Sequence, residues 1–139
     1  MNRPTNEVLG RLAFLANTRG IIPDPVNATR IDNYEREIVN TTEIVYTIPA
    51  GKVLFIDSAF LGIFNSSASA NRVRLEIRDA ADVYVSIILA AGCQASSGGQ
   101  VSKCYPVARE VPAGYDIIIY SPAASVYATG GISGWLESV

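Results

Sequence analysis

Six of the carboxylates in the part of the chain rich in short apolar runs are candidates for chemistry: Asp57, Glu76, Asp79, Asp82, Glu110 and Asp116. Two of them set across a cleft could act as acid and base in glycoside hydrolysis, which needs carboxyl groups about 5–9 Å apart. Each also fits a plainer role as an outward strand position or a turn residue. The sequence supplies no other catalytic chemistry. It has no histidine, which removes the commonest general base and the commonest metal ligand together. The serines therefore have no base to activate them, and no Gly-x-Ser-x-Gly elbow occurs. Ser133, in Gly131-Ile132-Ser133-Gly134, has the wrong spacing. Asp79 and Asp82 flank two alanines as turn residues do, and they fall short of the roughly six to eight oxygens of a calcium shell. The Gly98-Gly99 and Gly130-Gly131 pairs lack the Lys-Ser/Thr context of a phosphate loop. No catalytic, cofactor-binding or metal-binding residue is assigned, and no cofactor is expected.

Cys93 and Cys104 are the two cysteines, and they flank a Ser- and Gly-rich stretch, 94–103. If that stretch is a hairpin loop, they could face each other across its neck as a disulfide; in a reducing compartment they remain thiols. Without histidine they cannot complete a four-ligand zinc shell. Arg72, Arg74 and Arg78 alternate with Val73, Leu75 and Ile77, so the arginines share one strand face with Glu76. They form a candidate interaction face toward an acidic partner, or an ion-pair face at solvent or between subunits. Tyr84, Tyr105, Tyr115, Tyr120, Tyr127 and Trp135 suit core or interface anchors. Solvent-facing, they would suit a sugar-stacking platform.

The elements that must position these residues follow from composition and spacing. A length of 139 residues fits one domain. Eleven Lys+Arg against thirteen Asp+Glu give a net charge of −2, which argues against an electrostatically driven nucleic-acid binder. With 49% hydrophobic and 17% charged residues, the chain is too apolar for disorder and lightly charged for a protein that solvates its whole surface alone. No apolar run of about 18 residues exists, so neither a spanning helix nor a membrane partner is expected. Residues 12–16 are too short for the core of a signal peptide, and Asn17, Thr18 and Arg19 follow at once. Sequons at Asn27, Asn40 and Asn65 carry no meaning without secretion.

Within residues 1–40, Val8, Leu9, Leu12, Leu15 and Ala16 recur at helical spacing between Asn6 as N-cap and Gly20 as stop. Such a helix is marginal alone in water. Ile21-Ile22-Pro23-Asp24-Pro25-Val26 continues as an extended arm stiffened by proline. Val8, Leu9, Leu12, Leu15, Ile21 and Ile22 are thus candidate arm residues for docking onto a neighbour. From residue 41 to 139 the pattern predicts strands at 43–48, 53–64, 71–78, 82–89, 101–107, 115–120, 125–129 and 132–137. Three runs are apolar on both faces: Leu54-Phe55-Ile56, Ile87-Ile88-Leu89 and Ile117-Ile118-Ile119. Their outer faces need cover, which another subunit could provide. Ile48-Pro49-Ala50-Gly51 is echoed 63 residues later by Val111-Pro112-Ala113-Gly114, and in each the proline and glycine predict a tight reversal. The expected fold is all-β, a jelly-roll-like antiparallel β-sandwich of about eight strands behind a helix and arm.

A sandwich punctuated in this way resembles the small virion proteins of tailed bacteriophages, among them capsid decoration (cement) proteins and some tail proteins. Residues 48–51 with 53–56, 111–114 with 115–120, and 129–136 carry the likeness. It implies a virion protein that forms homo-oligomers, trimers or dimers, binds a larger capsid or tail protein and catalyses nothing. It transfers no site residue. The Pro-Ala-Gly turn also resembles that of cupins, whose metal histidines are missing here. The alternative is a carbohydrate- or receptor-binding module, as at a fibre tip.

Overall fold

Both Pro-Ala-Gly segments are hydrogen-bonded turns, and they close against each other. In the computed structural model, which describes residues 28–139 apart from the side chains of 32–36, the Lys52 N–H donates to the Pro49 carbonyl at 3.2 Å and the Tyr115 N–H to that of Pro112 at 3.4 Å. Gly51 and Gly114 have φ of 72° and 76°. A positive φ at the second corner marks type II turns, with alanine rather than proline at the first corner. Ile48 joins the two turns: its N–H donates to the Tyr115 carbonyl and its own carbonyl accepts from Gly114 N–H, both at 2.9 Å. The sequence echo is a spatial pairing.

Eight strands follow in order: β1 Thr29–Val39, β2 Thr42–Thr47, β3 Lys52–Asn65, β4 Asn71–Arg78, β5 Tyr84–Cys93, β6 Ser97–Val111, β7 Asp116–Tyr120 and β8 Val126–Ser138. Antiparallel partners nest, β1 with β8, β2 with β7, β3 with β6 and β4 with β5. Further pairs, β3 with β8 and β4 with β7, join these into sheets of order β1-β8-β3-β6 and β2-β7-β4-β5. A long hairpin rolled so that successive pairs fall in alternate sheets gives this order, so the sandwich is jelly-roll-like as expected.

Three boundaries differ from the sequence expectation. The sandwich takes in Thr29–Val39 as β1, a segment assigned above to the arm. As an edge strand it buries Ile31 and Ile38. The two last predicted strands are one, β8. Most of the Ser/Gly stretch after Cys93 is the start of β6, and the reversal is confined to 94–96. The predicted helix and most of the arm lie outside the described residues.

The core lies between the sheets. β8 keeps a single inward parity, Val126, Ala128, Gly130, Ile132, Gly134 and Leu136, all buried. β3 does not: Leu54 and Ile56 point inward, then Ala59, Leu61 and Ile63. The switch is a bulge, since Ile56 opposes Gly134 and Ser58 opposes Ser133, leaving Asp57 extra. β3 and β8 close up at this point. A Cβ on Gly134 would stand 2.0 Å from the Phe55 carbonyl oxygen, whereas one on Gly130 would meet the side-chain tips Ile119 Cδ1 and Leu61 Cδ1 at 3.0 Å and the Phe60 carbonyl oxygen only at 3.4 Å. Outside the bulge, Phe55 stacks on Trp135 with centroids 5.4 Å apart.

Replacing Gly134 with alanine should therefore cost about 3 kcal/mol and lower Tm by roughly 10 °C. Gly130→Ala should cost less, because side-chain tips give way where a backbone carbonyl does not. Calorimetry on both variants checks the order, and equal losses would contradict this account of the bulge.

Candidate functional site

Three of the six carboxylates gather around Arg78: Glu76 and Asp82 accept from it, and Asp116, its cross-strand partner, lines a groove of about 380 Å³ with Asp82. Asp57 accepts from Arg30 (Nη1 to Oδ2, 2.5 Å) and from the Ser58 hydroxyl (3.1 Å). Asp116 accepts from the Thr47 hydroxyl at 2.5 Å. Asp79 closes the β4–β5 turn, its Oδ1 accepting the N–H groups of Ala81 and Val83 at 2.9 and 3.0 Å. Glu110 is exposed on β6. Asp82 and Glu76 both hold Arg78. Among the described residues no group of three or more acidic or cysteine side chains could hold a metal.

Glu76 is buried, 1% exposed, although it lies on the outer face of its sheet. Its Oε1 accepts from Arg78 Nε and Nη2 at 2.9 and 2.7 Å. Its Oε2 has no hydrogen-bond partner and lies 3.6 Å from Arg74 Nε. Arg78 also donates to Asp82 at 3.0 Å, and Arg74 lies 4.7 Å from the centre of the Tyr120 ring. The hydrogen bond to Glu76, and secondarily that to Asp82, raises the pKa of Arg78 above the ordinary guanidinium value. Arg74 and Arg78 are thus engaged within the chain, while Arg72 stays exposed. The same network covers Ile118, which opposes Glu76 in register and Ile44 on the other side and is only 3% exposed. An outward isoleucine expected to need a second subunit is covered by its own chain.

Cys93 and Cys104 are free thiols, not the disulfide the spacing allowed. The Cys93 sulfur lies 3.2 Å from the Ser97 carbonyl oxygen, and its Cβ packs beside Gly99. Cys104 sits five residues farther along β6, about 16 Å at strand rise, beyond the reach of a disulfide. Of the aromatic residues singled out, Tyr84 and Tyr127 are exposed, while Tyr105, Tyr115 and Tyr120 are half-buried and Trp135 is buried.

Apart from Ile44, exposed on β2 in a groove with Arg78, Asp82 and Asp116, two larger apolar surfaces among the described residues remain uncovered. The first is the margin where the edge strands β5 and β6 meet. Arg109 ties it together, donating to the Ile87 carbonyl at 3.0 Å and to the Ser86 hydroxyl. Opposite the single extra residue Asp57, β6 runs through four unpaired residues, 105–108. Val107, within them, is 82% exposed, and Val83, Tyr84, Val85 and Ile87 are exposed along β5. The sequence hinted at this through Pro106, since a proline inside a strand pattern marks an edge or a bulge. The second is a groove of about 510 Å³ on the outer face of β1-β8-β3-β6, lined by Glu37, Gly62, Phe64, Gln100, Tyr127 and Thr129 among others.

No family model matches the chain, and no curated protein matches it. Solved structures do resemble it. A pentameric capsid protein isolated from metagenomic phage sequences aligns at TM-score 0.43 and 17% identity, over 77% of this chain and 60% of that one. A second structure so described aligns at 0.38 and 13%, over 77% and 62%. A pilus protein of Bacillus endospore appendages aligns at 0.37 and 10%, over 85% and 96%. The chain thus spans about three-fifths of the capsid proteins it resembles.

Glu76→Ala should destabilise the fold by about 3 kcal/mol, because it leaves Arg78 half-buried without its main partner. Arg72→Ala should leave Tm within about 2 °C. Thermal melts of the two variants test whether this face is an internal brace.

Proposed function

We propose that the chain is a non-enzymatic structural protein of a phage virion, a capsid decoration component that assembles with its own copies and seats on a larger protein lattice. One observation carries the reading. The apolar side chains left uncovered on β5 and β6 gather at one margin, around Arg109. Monomeric proteins rarely present such patches to water without a partner. The resemblance of the Pro-Ala-Gly corners to small virion proteins points to the same setting, with no nucleic-acid or membrane partner.

Magnitudes indicate how the assembly is held. The five margin side chains, about half-exposed, would each contribute roughly 1 kcal/mol on burial. Two copies together reach on the order of 10 kcal/mol, comparable with the ~4–15 kcal/mol lost in restricting two bodies. The margin alone gives weak association. The arm residues Val8, Leu9, Leu12, Leu15, Ile21 and Ile22 supply further apolar surface for a neighbouring copy or the lattice, strengthening a dimer or trimer that still dissociates on dilution.

Val107→Asp combined with Tyr84→Ser should convert the oligomer to a 14.9 kDa monomer by light scattering that still melts cooperatively, at a Tm lowered only by the loss of association; an unaltered mass would contradict the margin as interface. Removing residues 1–27 should leave the sandwich folded and weaken attachment to the lattice. Removing residues 1–40 also takes away β1 with Ile31 and Ile38, and should lower Tm by about 10 °C or more.

A further inference from the structure

We propose that the groove on the outer face of β1-β8-β3-β6 binds a neutral saccharide, with the rings of Phe64 and Tyr127 as its packing surface and Glu37, Thr129 and Gln100 as its hydrogen-bonding groups. The strand register lays the site out. Glu37, Thr129, Gly62 and Gln100 are cross-strand partners in one row over all four strands. Phe64 and Tyr127 are partners two residues along, in a row that ends at Gly98. Side chains two residues apart share a face, so rings and polar groups stand on the same side of the sheet.

The shape follows from the residue types. Gly62 places bare backbone between Thr129 and Gln100, which gives the groove its floor. Gly98 leaves one flank of the Phe64 ring open. The two rings are 6.2 Å apart with planes inclined at 48°, so they form an angled wall rather than a flat platform. Phe64 is 56% and Tyr127 44% exposed. Uncovered rings of this size in a groove favour a ligand with an apolar face.

The polar row decides which ligand. An apolar peptide face would leave three polar groups without partners, at a cost for each. An anion would meet the Glu37 carboxylate. A pyranose offers C–H faces to lie against a ring and hydroxyls that both donate and accept. Those match a carboxylate acceptor, a threonine hydroxyl and a glutamine amide. The rings belong to the central strands β3 and β8, and Gln100, the site's one polar group from β6, lies seven residues along that strand from Val107, so the site stands apart from the exposed margin residues and does not rest on the assembly reading.

The test is saturation-transfer NMR on the full chain with maltohexaose, cellohexaose, chitohexaose and, as a charged probe, sialyllactose. At least one neutral oligosaccharide should bind, with affinity reduced at least tenfold in both Phe64→Ala and Tyr127→Ala. Gly62→Val should abolish binding by filling the floor. Its Cβ would have ordinary clearance, 3.8 Å to the Thr129 carbonyl oxygen and 3.9 Å to that of Gly99, so the fold tolerates it. Tm and oligomeric mass should be unchanged in all three variants. The proposal is overturned if no neutral probe binds, if binding survives both ring substitutions, or if Phe64→Ala changes the oligomeric mass, which would make the groove a contact between copies.

Discussion

One extra residue in the central strand β3, Asp57, shapes much of this molecule. It switches the side-chain parity of β3 from Leu54 and Ile56 to Ala59, Leu61 and Ile63, so a strand of 14 residues feeds the core along its whole length. The same kink brings the Phe55 carbonyl against β8, where only glycine fits. It also sets Phe55 beside Trp135. On the other side, β6 answers Asp57 with four residues instead of one, and that excursion carries Val107 out to solvent. Core, glycine placement and the exposed margin thus share a cause.

The edges show a second pattern. Every edge strand, β1, β2, β5 and β6, has an irregular register against its neighbour. Broken edges oppose indefinite sheet-to-sheet growth between copies. Contact between copies is then left to side chains, which can specify a closed assembly. Elsewhere the chain covers its own outward apolar groups. Ile118 lies beneath the Glu76–Arg78 network and Trp135 against Phe55. The margin and the ring-lined groove are the larger places where that self-covering stops, and Ile44 beside Ile118 is a smaller one.

The fold class was legible because turn chemistry and strand alternation agree: the two Pro-Ala-Gly corners and the regular β4 pattern suffice for a jelly-roll-like sandwich. Where the sequence misled, tertiary context was responsible. β1 was placed with the arm because an edge strand needs few apolar residues. β8 looked like two strands because Gly130 and Gly131 interrupt it, although Gly130 lies on the inward face, close against Ile119 and Leu61. The cysteine pair looked bridgeable because Ser and Gly suggested a loop, yet small residues pair well opposite the bulky side chains of β3. The alternation of β4 set the arginines on one face with Glu76, but the burial of Glu76 among them depends on cross-strand neighbours that spacing along one strand does not reveal. Phe64 and Val107, central to the two surfaces, gave no signal beyond Pro106, since exposure depends on register.

The account stands on the β5–β6 margin being covered by another copy of the chain. Hydroxyl-radical footprinting of the intact protein, read by mass spectrometry at high and low concentration, reports that cover directly. Val83, Tyr84, Val85, Ile87 and Val107 should label weakly in the concentrated protein and strongly on dilution, while Val139, also exposed, labels alike in both. Strong labelling of Val107 and Tyr84 at every concentration would mean a solitary molecule with a wet margin, and would contradict the account.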